Sequence, residues 1–520
     1  RHLEPMGFIK FDILGLSTIE MIEEAIINIL RNKRGVENPT MAEVTEFYNK
    51  NLHPDVIDTD DQEIWKNIFQ EGRFAGVFQF TQKGAQNLCI RAKPTNIIDL
   101  AAITSIYRPG PLSAKVDKDY VEAKANPQYI KYIHPIVREH TENTYGFLIF
   151  QEQIAILAHK LGKNISLDEG NALRKLLTKK GTGKGAEEML LIKGKFIEGC
   201  TEKGIARQAA EKLWGTFEYF SGYGFNKSHA VSYCFISFQC AWLFNYYPAE
   251  WVAAFLGREP ESRKEQAINI AKSFGFKVEP MNINTSTASW SILEDGKTLV
   301  QPLTSIKGLG EKAVEQIINH RPFNTIEEFL FHEEISYSKL NKKAVDVLVR
   351  SQALNCLIDD RFTGLKHFWS AVAVDRPRKQ KDLDANISLY APEGEFTEEE
   401  KIEFLTTLTG VFPMSMVVTQ DLLDKFEEKC VPPISEYDPD LGLVWFIPRK
   451  IDRKKTKNGK DYWVIDTVDA TNKITKIKCW GVKPGQDRVF INRPYMARLE
   501  YSEQWGFSTR SVRRFFRLVG

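Results

Sequence analysis

The sequence predicts a multidomain α+β chain: mainly helical through its first half, then a helix-hairpin-helix module, then a small C-terminal β-barrel. Three observations predict this. Apolar residues recur at helical spacing, as in Ile19, Met21, Ile22, Ala25, Ile26 and Ile29, and Ala230–Ala249 is a charge-free helical run. Ile306-Lys307-Gly308-Leu309-Gly310 stands immediately before the helical EKAVEQIINHR. From Leu441 onward, alternating aromatic strands are separated by turn signals and carry 18 Lys and Arg against 7 Asp and Glu, a net of +11.

At 520 residues, with roughly 150 per domain, three or four domains are expected. The chain is 43% hydrophobic and 27% charged, which supplies packed cores and excludes global disorder. Its net charge is only +2, so the basic C-terminal region is a local feature and the remainder is mildly acidic. The seven cysteines, at 89, 200, 234, 240, 356, 430 and 479, include no C-x-x-C pair, and several lie in apolar surroundings. Buried free thiols in a reducing compartment are expected, not disulfides or a zinc site. No signal peptide is visible. Ser232, Ser237, Gln239, Asn245 and Pro248 interrupt the charge-free run, so it reads as a core helix and not a membrane span. The chain begins at Arg1 with a segment too short to fold alone, which suggests part of a larger polypeptide.

In chain order, Phe8–Leu14 is a β-like run carrying Asp12. A carboxylate there needs a cation or donors, as a cap, a salt-bridge partner or a metal ligand. Asp58, Asp60 and Asp61 imitate a metal cluster, but DDQEIWKNIF reads as a helix start and assigns them to capping. Pro109 and Pro111 stiffen the backbone around Arg108, which suits bidentate contact with phosphate or carboxylate; a structural salt bridge is the alternative. Tyr145–Leu161 reads as a strand-like start entering a helix. Ser166 or Asp168 then opens a helix ending in the cationic cluster Arg174, Lys175, Lys179 and Lys180, beyond what the helix dipole requires. The following GTGKG lacks P-loop spacing and reads as a turn.

Phe220–Ala230, FSGYGFNKSHA, concentrates glycines, stacking faces and polar donors between two helices: a ligand-facing loop, or a tight turn with incidental polar residues. Beyond Gly257, short strands are expected at Ile283–Asp295 and Thr298–Leu303, with Asp295-Gly296 as a hairpin. The IKGLG turn presents backbone N–H groups of residues such as Gly308 and Gly310 to a phosphate, with Lys307 and Lys312 beside it; a plain αα-turn is the alternative. Arg376–Leu383 reads as a basic linker before the apolar pentad Asn386, Ile387, Ser388, Leu389 and Tyr390, either an edge tucked onto the next domain or a linear docking peptide. Asn458-Gly459 and Ala470–Asn472 close hairpins in the last domain. Its charge and aromatics suggest an OB-type barrel for single-stranded nucleic acid, with Lys454, Lys455 and Lys457 on it, or a basic barrel with no ligand.

GFIKFDILGL, GVFQFTQKGAQNL, AITSIYRPGPL, YGFLIFQEQI, NALRKLLTKK, FSGYGFNKSHAVSY, YPAEWVAAFL and IKGLGEKAV, in this order and over nearly the whole chain, resemble the C-family DNA polymerases of bacteria. The resemblance implies the C-terminal end of a palm (1–20), fingers (21–256), a helix-hairpin-helix and clamp-binding domain with linker (257–430) and an OB-fold (431–520). It implies template-directed nucleotidyl transfer with two Mg²⁺. Asp12 matches the third palm aspartate; the other two, expected on an N-terminal polymerase fragment, have no D-x-D counterpart here. Two ions about 3.5–4 Å apart cannot rest on one aspartate, so the chain alone is expected to be inactive. Arg108, Arg174, Lys175 and Lys180 would meet the dNTP triphosphate, with Lys175 replacing a usual arginine. Tyr223, Asn226, Lys227, Ser228 and His229 match the fingers motif near the nascent pair, and NISLY lies at the sliding-clamp peptide with departures at Asn386 and Tyr390. Implied partners are primer-template DNA, single-stranded template DNA, dNTP and the sliding clamp, with no membrane, in the cytoplasm of a bacterial or phage-infected cell. The competing class is a non-catalytic DNA-binding and clamp-tethering subunit.

Overall fold

The computed structural model describes residues 15–113, 115–178, 184–221, 224–456, 458–469, 474–483, 485, 487–502 and 505–517. Asp12, Lys180, Tyr223 and Lys457 lie outside the described residues, as does the Phe8–Leu14 run. The chain divides into two compact units, Arg1–Phe255 and Leu256–Gly520.

The first unit is helical. The charge-free run is a helix, Lys227–Tyr246, whose Cys234, Phe238, Cys240, Ala241 and Leu243 are fully buried. Its Phe238 packs against Trp65 at 5.0 Å and stacks on Phe69. All three rings are fully buried, and truncating Phe238 to Ala costs on the order of 3–5 kcal/mol. No helix among the described residues is long and apolar enough to cross a membrane. Gly76 adopts φ +69, and an added Cβ would stand 3.0–3.2 Å from Phe255, Met21 and Trp251. Trp251 in turn donates Nε1–H to Ala75 O at 2.7 Å, pinning the Gly76–Phe80 loop.

A second cluster in this unit joins helices Gln151–Leu161, Leu167–Thr178, Lys184–Glu202 and Arg207–Ser221 through Leu157, Leu161, Leu173, Phe196, Trp214 and Phe217. Ser166 caps the second helix, its Oγ accepting from Glu169 N–H at 3.1 Å. The strand-like start at Tyr145 is no strand: it forms one parallel bridge, Phe150 to Phe225. The aspartate cluster does cap, with Asp61 Oδ1 accepting from Glu63 N–H at 3.0 Å.

The second unit opens with β1 (Lys277–Glu279), β2 (Ser291–Ile292) and β3 (Thr298–Val300), in the order β1-β3-β2. Of the stretch Ile283–Asp295, expected as strand, only β2 forms one. Asn282 Oδ1 accepts from Asn284 N–H at 2.8 Å, and Ser286 Oγ accepts from Asn282 N–H at 2.9 Å, which turns the chain. Asp295 stabilises the β2–β3 hairpin by accepting from Lys297 and Thr298 N–H. Helices Glu311–His320 and Lys342–Arg350 follow, around Val314, Ile317, Val345 and Leu348.

The expected basic linker is instead the approach to a helix, Gln380–Tyr390, which absorbs the NISLY pentad. Leu383 buries against the same core, and Asn386 Nδ2 donates to Ala371 O and Asp375 O, so local polarity gives way to tertiary packing.

Among the described residues, seven strands follow: β4 (Leu443–Lys455), β5 (Asp461–Val468), β6 (Thr475–Trp480), β7 (Tyr495–Arg498), β8 (Glu500–Ser502), β9 (Gly506–Thr509) and β10 (Phe515–Arg517). They form a curled, OB-like sheet ordered β10-β7-β4-β5-β6-β9-β8. Pro448 cannot donate to the ladder, and the β4–β5 register shifts beside it. All seven cysteines are free; five are buried, while Cys356 and Cys430 are exposed.

Candidate functional site

Arg108, Phe225 and the start of the Lys227–Tyr246 helix meet through an arrangement of backbone and carboxylate contacts. Phe225 N–H donates to Ile149 O at 3.1 Å, and Phe225 O accepts from Gln151 N–H at 2.9 Å. Gln151 Nε2 donates to Gly224 O at 2.9 Å. Glu152 then receives Asn226 Nδ2 at 3.0 Å on one oxygen and Lys227 N–H at 2.9 Å on the other. A carboxylate that fills two positions at a helix N-terminus complements the positive end of the dipole and holds the loop against the Gln151–Leu161 helix.

Asn226 is the N-cap: its Oδ1 accepts from His229 N–H at 2.8 Å and from Ser228 Oγ at 2.7 Å. The polar groups of Asn226 and Ser228 are thus used to build the helix start. Lys227 Nζ lies 5.8 Å from the Phe150 ring centroid. The exposed His229 packs against Tyr233 at 4.2 Å and edge-on to Phe225 at 5.4 Å.

The Arg108 guanidinium stands 4.8 Å from the Phe225 centroid, a cation–π contact. Pro109 begins a short helix, Pro109–Ser113, that directs Arg108. The same arginine lines an open cleft of about 480 Å³ with Gln79, Gln82, Thr104, Tyr107 and Leu112. Gln79 adopts φ +66 there, a left-handed conformation that costs a side chain roughly 1–2 kcal/mol.

The Ile97–Ile106 helix that carries this corner is anchored by buried Asp99, which accepts from Thr95 N–H at 3.1 Å, Lys124 Nζ at 2.5 Å and Tyr145 OH at 3.1 Å. Burial lowers the Lys124 pKa, but its hydrogen bonds to Asp99 and Tyr145 outweigh burial and leave it raised. Burial pushes the Tyr120 and Tyr145 phenols up.

Arg174 and Lys175 occupy the C-terminal half of the Leu167–Thr178 helix, and their side chains lie outside the described residues. That helix lies close to its neighbour because Gly170 has no Cβ: one would stand 2.5 Å from Ala155 O. Among the described residues, no group of three or more His, Cys, Asp or Glu is placed to hold a metal ion. Asp61, the nearest imitation, receives Tyr246 OH at 2.6 Å on its second oxygen.

Residues 20–204 match the bacterial DNA polymerase III alpha subunit finger domain, and residues 275–364 match a helix-hairpin-helix motif. The DNA polymerase III subunit alpha of Campylobacter jejuni is 34% identical over 497 residues, 90% of this chain and 39% of the relative. The proteins of that name from Aquifex aeolicus and Helicobacter pylori are 29% and 28% identical, over 98% and 97% of this chain and 42% of each relative. The chain belongs to the bacterial DNA polymerase III alpha subunit family. It spans about two fifths of the length of these relatives.

Against this polymerase III alpha background, the hairpin turn is formed as expected. Gly308 adopts φ +90, and Gly310 precedes the Glu311–His320 helix. Two of its amides are already used: Lys307 N–H donates to Leu408 O at 2.8 Å and Leu309 N–H to Ile306 O at 3.1 Å. Lys307, Gly308, Gly310 and Lys312 are exposed, as are Lys342 and Lys343 of the next helix. In the OB-like sheet, Lys454 and Lys455 are exposed at the end of β4. The register places Lys454 beside Tyr462, and Tyr462 beside Trp480.

Tyr462 and Trp480 stack at 4.8 Å, and Trp480 borders a cavity of about 400 Å³ with Tyr501 and Trp505. Sequence reasoning missed these aromatics and Glu152. The DYW and KCW strings were the available signal for the first, whereas a glutamate in a helix's first turn reads only as a dipole complement. In the NISLY pentad, Ser388 and Leu389 are exposed, while Tyr390 OH donates to Asp375 at 2.6 Å.

Proposed function

We propose that this chain supplies the fingers, duplex-binding and single-strand-binding parts of a replicative DNA-directed DNA polymerase, holding primer-template and the incoming dNTP. The observation that carries the reading is the junction at Phe225: backbone bonds to Ile149 and Gln151 and the Arg108 contact unite three sequence-distant motifs beside an open cleft.

In this reading Arg108, with Arg174, Lys175 and Lys180, neutralises the triphosphate. Fixed cations in a cleft stabilise charge developing during phosphoryl transfer without reorganising. Tyr223 and His229 bound the nascent pair, and Glu152 keeps their loop in place. Two Mg²⁺ ions, held by a donor set completed outside the described residues, would supply activation of the primer hydroxyl and charge neutralisation at the phosphates. The described residues do not provide that donor set, so the metals are assigned to Asp12 with two palm aspartates from an N-terminal polymerase fragment, and the chain alone is inactive. Gly308 and Gly310, with Lys307 and Lys312, receive a duplex phosphate. Lys454, Lys455 and Lys457, with Tyr462, Trp480 and Trp505, receive the single-stranded template by charge and stacking. Residues 386–390 form a helical candidate for the sliding clamp through Leu389. The proposed divisions are those of the sequence: palm end 1–20, fingers 21–256, hairpin and clamp region 257–430, OB-fold 431–520.

Fluorescent dNTP binding to the chain tests the fingers assignment. Arg108→Ala is expected to weaken binding about tenfold or more, the loss of one charge-assisted contact of roughly 1.5–3 kcal/mol. Binding equal to wild type removes Arg108 from the nucleotide site.

A further inference from the structure

Arg376 and Arg378 flank Pro377 on the approach to the Gln380–Tyr390 helix. Both guanidiniums sit on one ring: Arg376 Cζ is 4.0 Å and Arg378 Cζ 4.8 Å from the Tyr337 centroid. A ring quadrupole attracts a cation but does not neutralise it, and two cations on one ring repel each other. Two neighbouring arginines of this unit are paired with acids: Arg350 with Asp346, and Arg361 with Asp359 and Glu327. Among the described residues, no such partner accompanies Arg376 or Arg378. Asp375, adjacent in sequence, accepts the Tyr390 hydroxyl at 2.6 Å.

Arg376 is half-buried, and its Nε and Nη1 are buried without a hydrogen-bond partner among the described residues. Burial lowers its pKa, and the Arg376 hydrogen bond lowers that of Tyr337. With no acid to offset either charge, the half-buried Arg376 beside the exposed Arg378 leaves two cations at one corner, which favours an anion there.

The location narrows the oxyanion. Tyr337 lies in the loop before the Lys342–Arg350 helix, and that loop is fastened to the hairpin helix by Ser336 N–H donating to Gln316 Oε1 at 2.9 Å. At its other end Lys343 Cε lies 3.4 Å from where a Cβ on Gly308 would stand. Tyr337 and Lys343 are six residues apart, so their Cα atoms lie no more than about 22 Å apart, within the ~34 Å of one turn of duplex DNA.

We propose that Arg376 and Arg378, stacked on Tyr337, form a second phosphate station that grips a backbone phosphodiester of the same duplex received by the Gly308–Gly310 turn. The inference rests on the duplex-binding reading above.

Anisotropy of a fluorescein-labelled duplex tests it, with the whole chain titrated from about 50 to about 200 mM salt. Wild type, Arg378→Ala, Arg376→Lys and the double variant Lys307→Ala/Lys312→Ala are compared. Arg378 is exposed, so its removal leaves the core intact. Arg378→Ala is expected to weaken binding about three- to tenfold at low salt and to flatten the slope of log K against log salt by about 1. Arg376→Lys keeps the charge and loses the planar stack on Tyr337 that holds the pair in place, so it weakens binding with the slope retained. Wild-type affinity and slope in Arg378→Ala, with loss in the double variant, overturn the station and leave the hairpin reading standing. Loss in Arg378→Ala alone overturns the hairpin assignment and, with it, the shared duplex of this proposal. A wild-type chain that does not bind the duplex overturns both.

Discussion

Glu152 accepts the Asn226 amide at 3.0 Å and the Lys227 N–H at 2.9 Å, so one carboxylate joins the Gln151–Leu161 helix to the loop that carries Phe225. Glu152→Ala removes both acceptors and is expected to lower stability by about 1–3 kcal/mol, read by urea denaturation, and to weaken dNTP binding through the displaced loop. Unchanged stability and binding contradict the buttress. A second residue gives a pH signature. Burial raises the pKa of Glu265 from 4.5 to about 7, against the opposing Arg449 charge and a backbone hydrogen bond from Phe412. The folded state therefore holds this proton more tightly than the unfolded state. The resulting stabilisation is fully present below pH 4.5 and is lost as pH rises to about 7. The stability advantage of wild type over Glu265→Gln is expected to fall by about 3 kcal/mol across that window, and parallel pH profiles would contradict the shift. Arg108 was legible because prolines on both sides of a glycine announce a directed side chain. Glu152 and Glu265 were not, because both depend on partners distant in sequence.

The helices with strong 3.6-residue periodicity were readable in advance, and Lys227–Tyr246 occupies the charge-free run that announced it. The Gln380–Tyr390 helix was not readable: its basic, polar start has little apolar periodicity, and Leu383 and Asn386 find partners only in the folded unit. Strands β9 and β10 were missed for a related reason. Each is four residues or fewer, and β9 pairs in parallel with β6 without an adjoining turn signal. The close approach of Leu167–Thr178 to Gln151–Leu161 at Gly170 is another tertiary feature with a local consequence. Gly170→Ala pushes a methyl to within 2.5 Å of Ala155 O, so the helices must separate. The expected cost is about 1–3 kcal/mol of stability, read by thermal unfolding, with weaker dNTP binding because the displaced helix carries Arg174 and Lys175. A neutral effect on both would show that this helix does not position the triphosphate ligands.

For the whole molecule, the order of motifs carried more information than composition. A net charge of +2 conceals a C-terminal region of +11, and neither number distinguishes a polymerase from a binding subunit. The family follows from the matched regions; the division of labour proposed here follows from geometry. One unit joins Arg108, which lines a cleft, to Phe225 and its Glu152-held loop, while the other carries a hairpin turn, an arginine pair and an aromatic row on a basic sheet. The claim that the first unit is the nucleotide-binding side of a shared active site is tested most directly by primer extension with the chain mixed with a palm-bearing polypeptide. The account predicts extension only in the mixture, reduced at least about 100-fold by Asp12→Asn, with duplex affinity unchanged. Extension within a few fold of wild type in Asp12→Asn, or none in any mixture that binds DNA, would contradict it and favour a DNA-binding and clamp-tethering subunit.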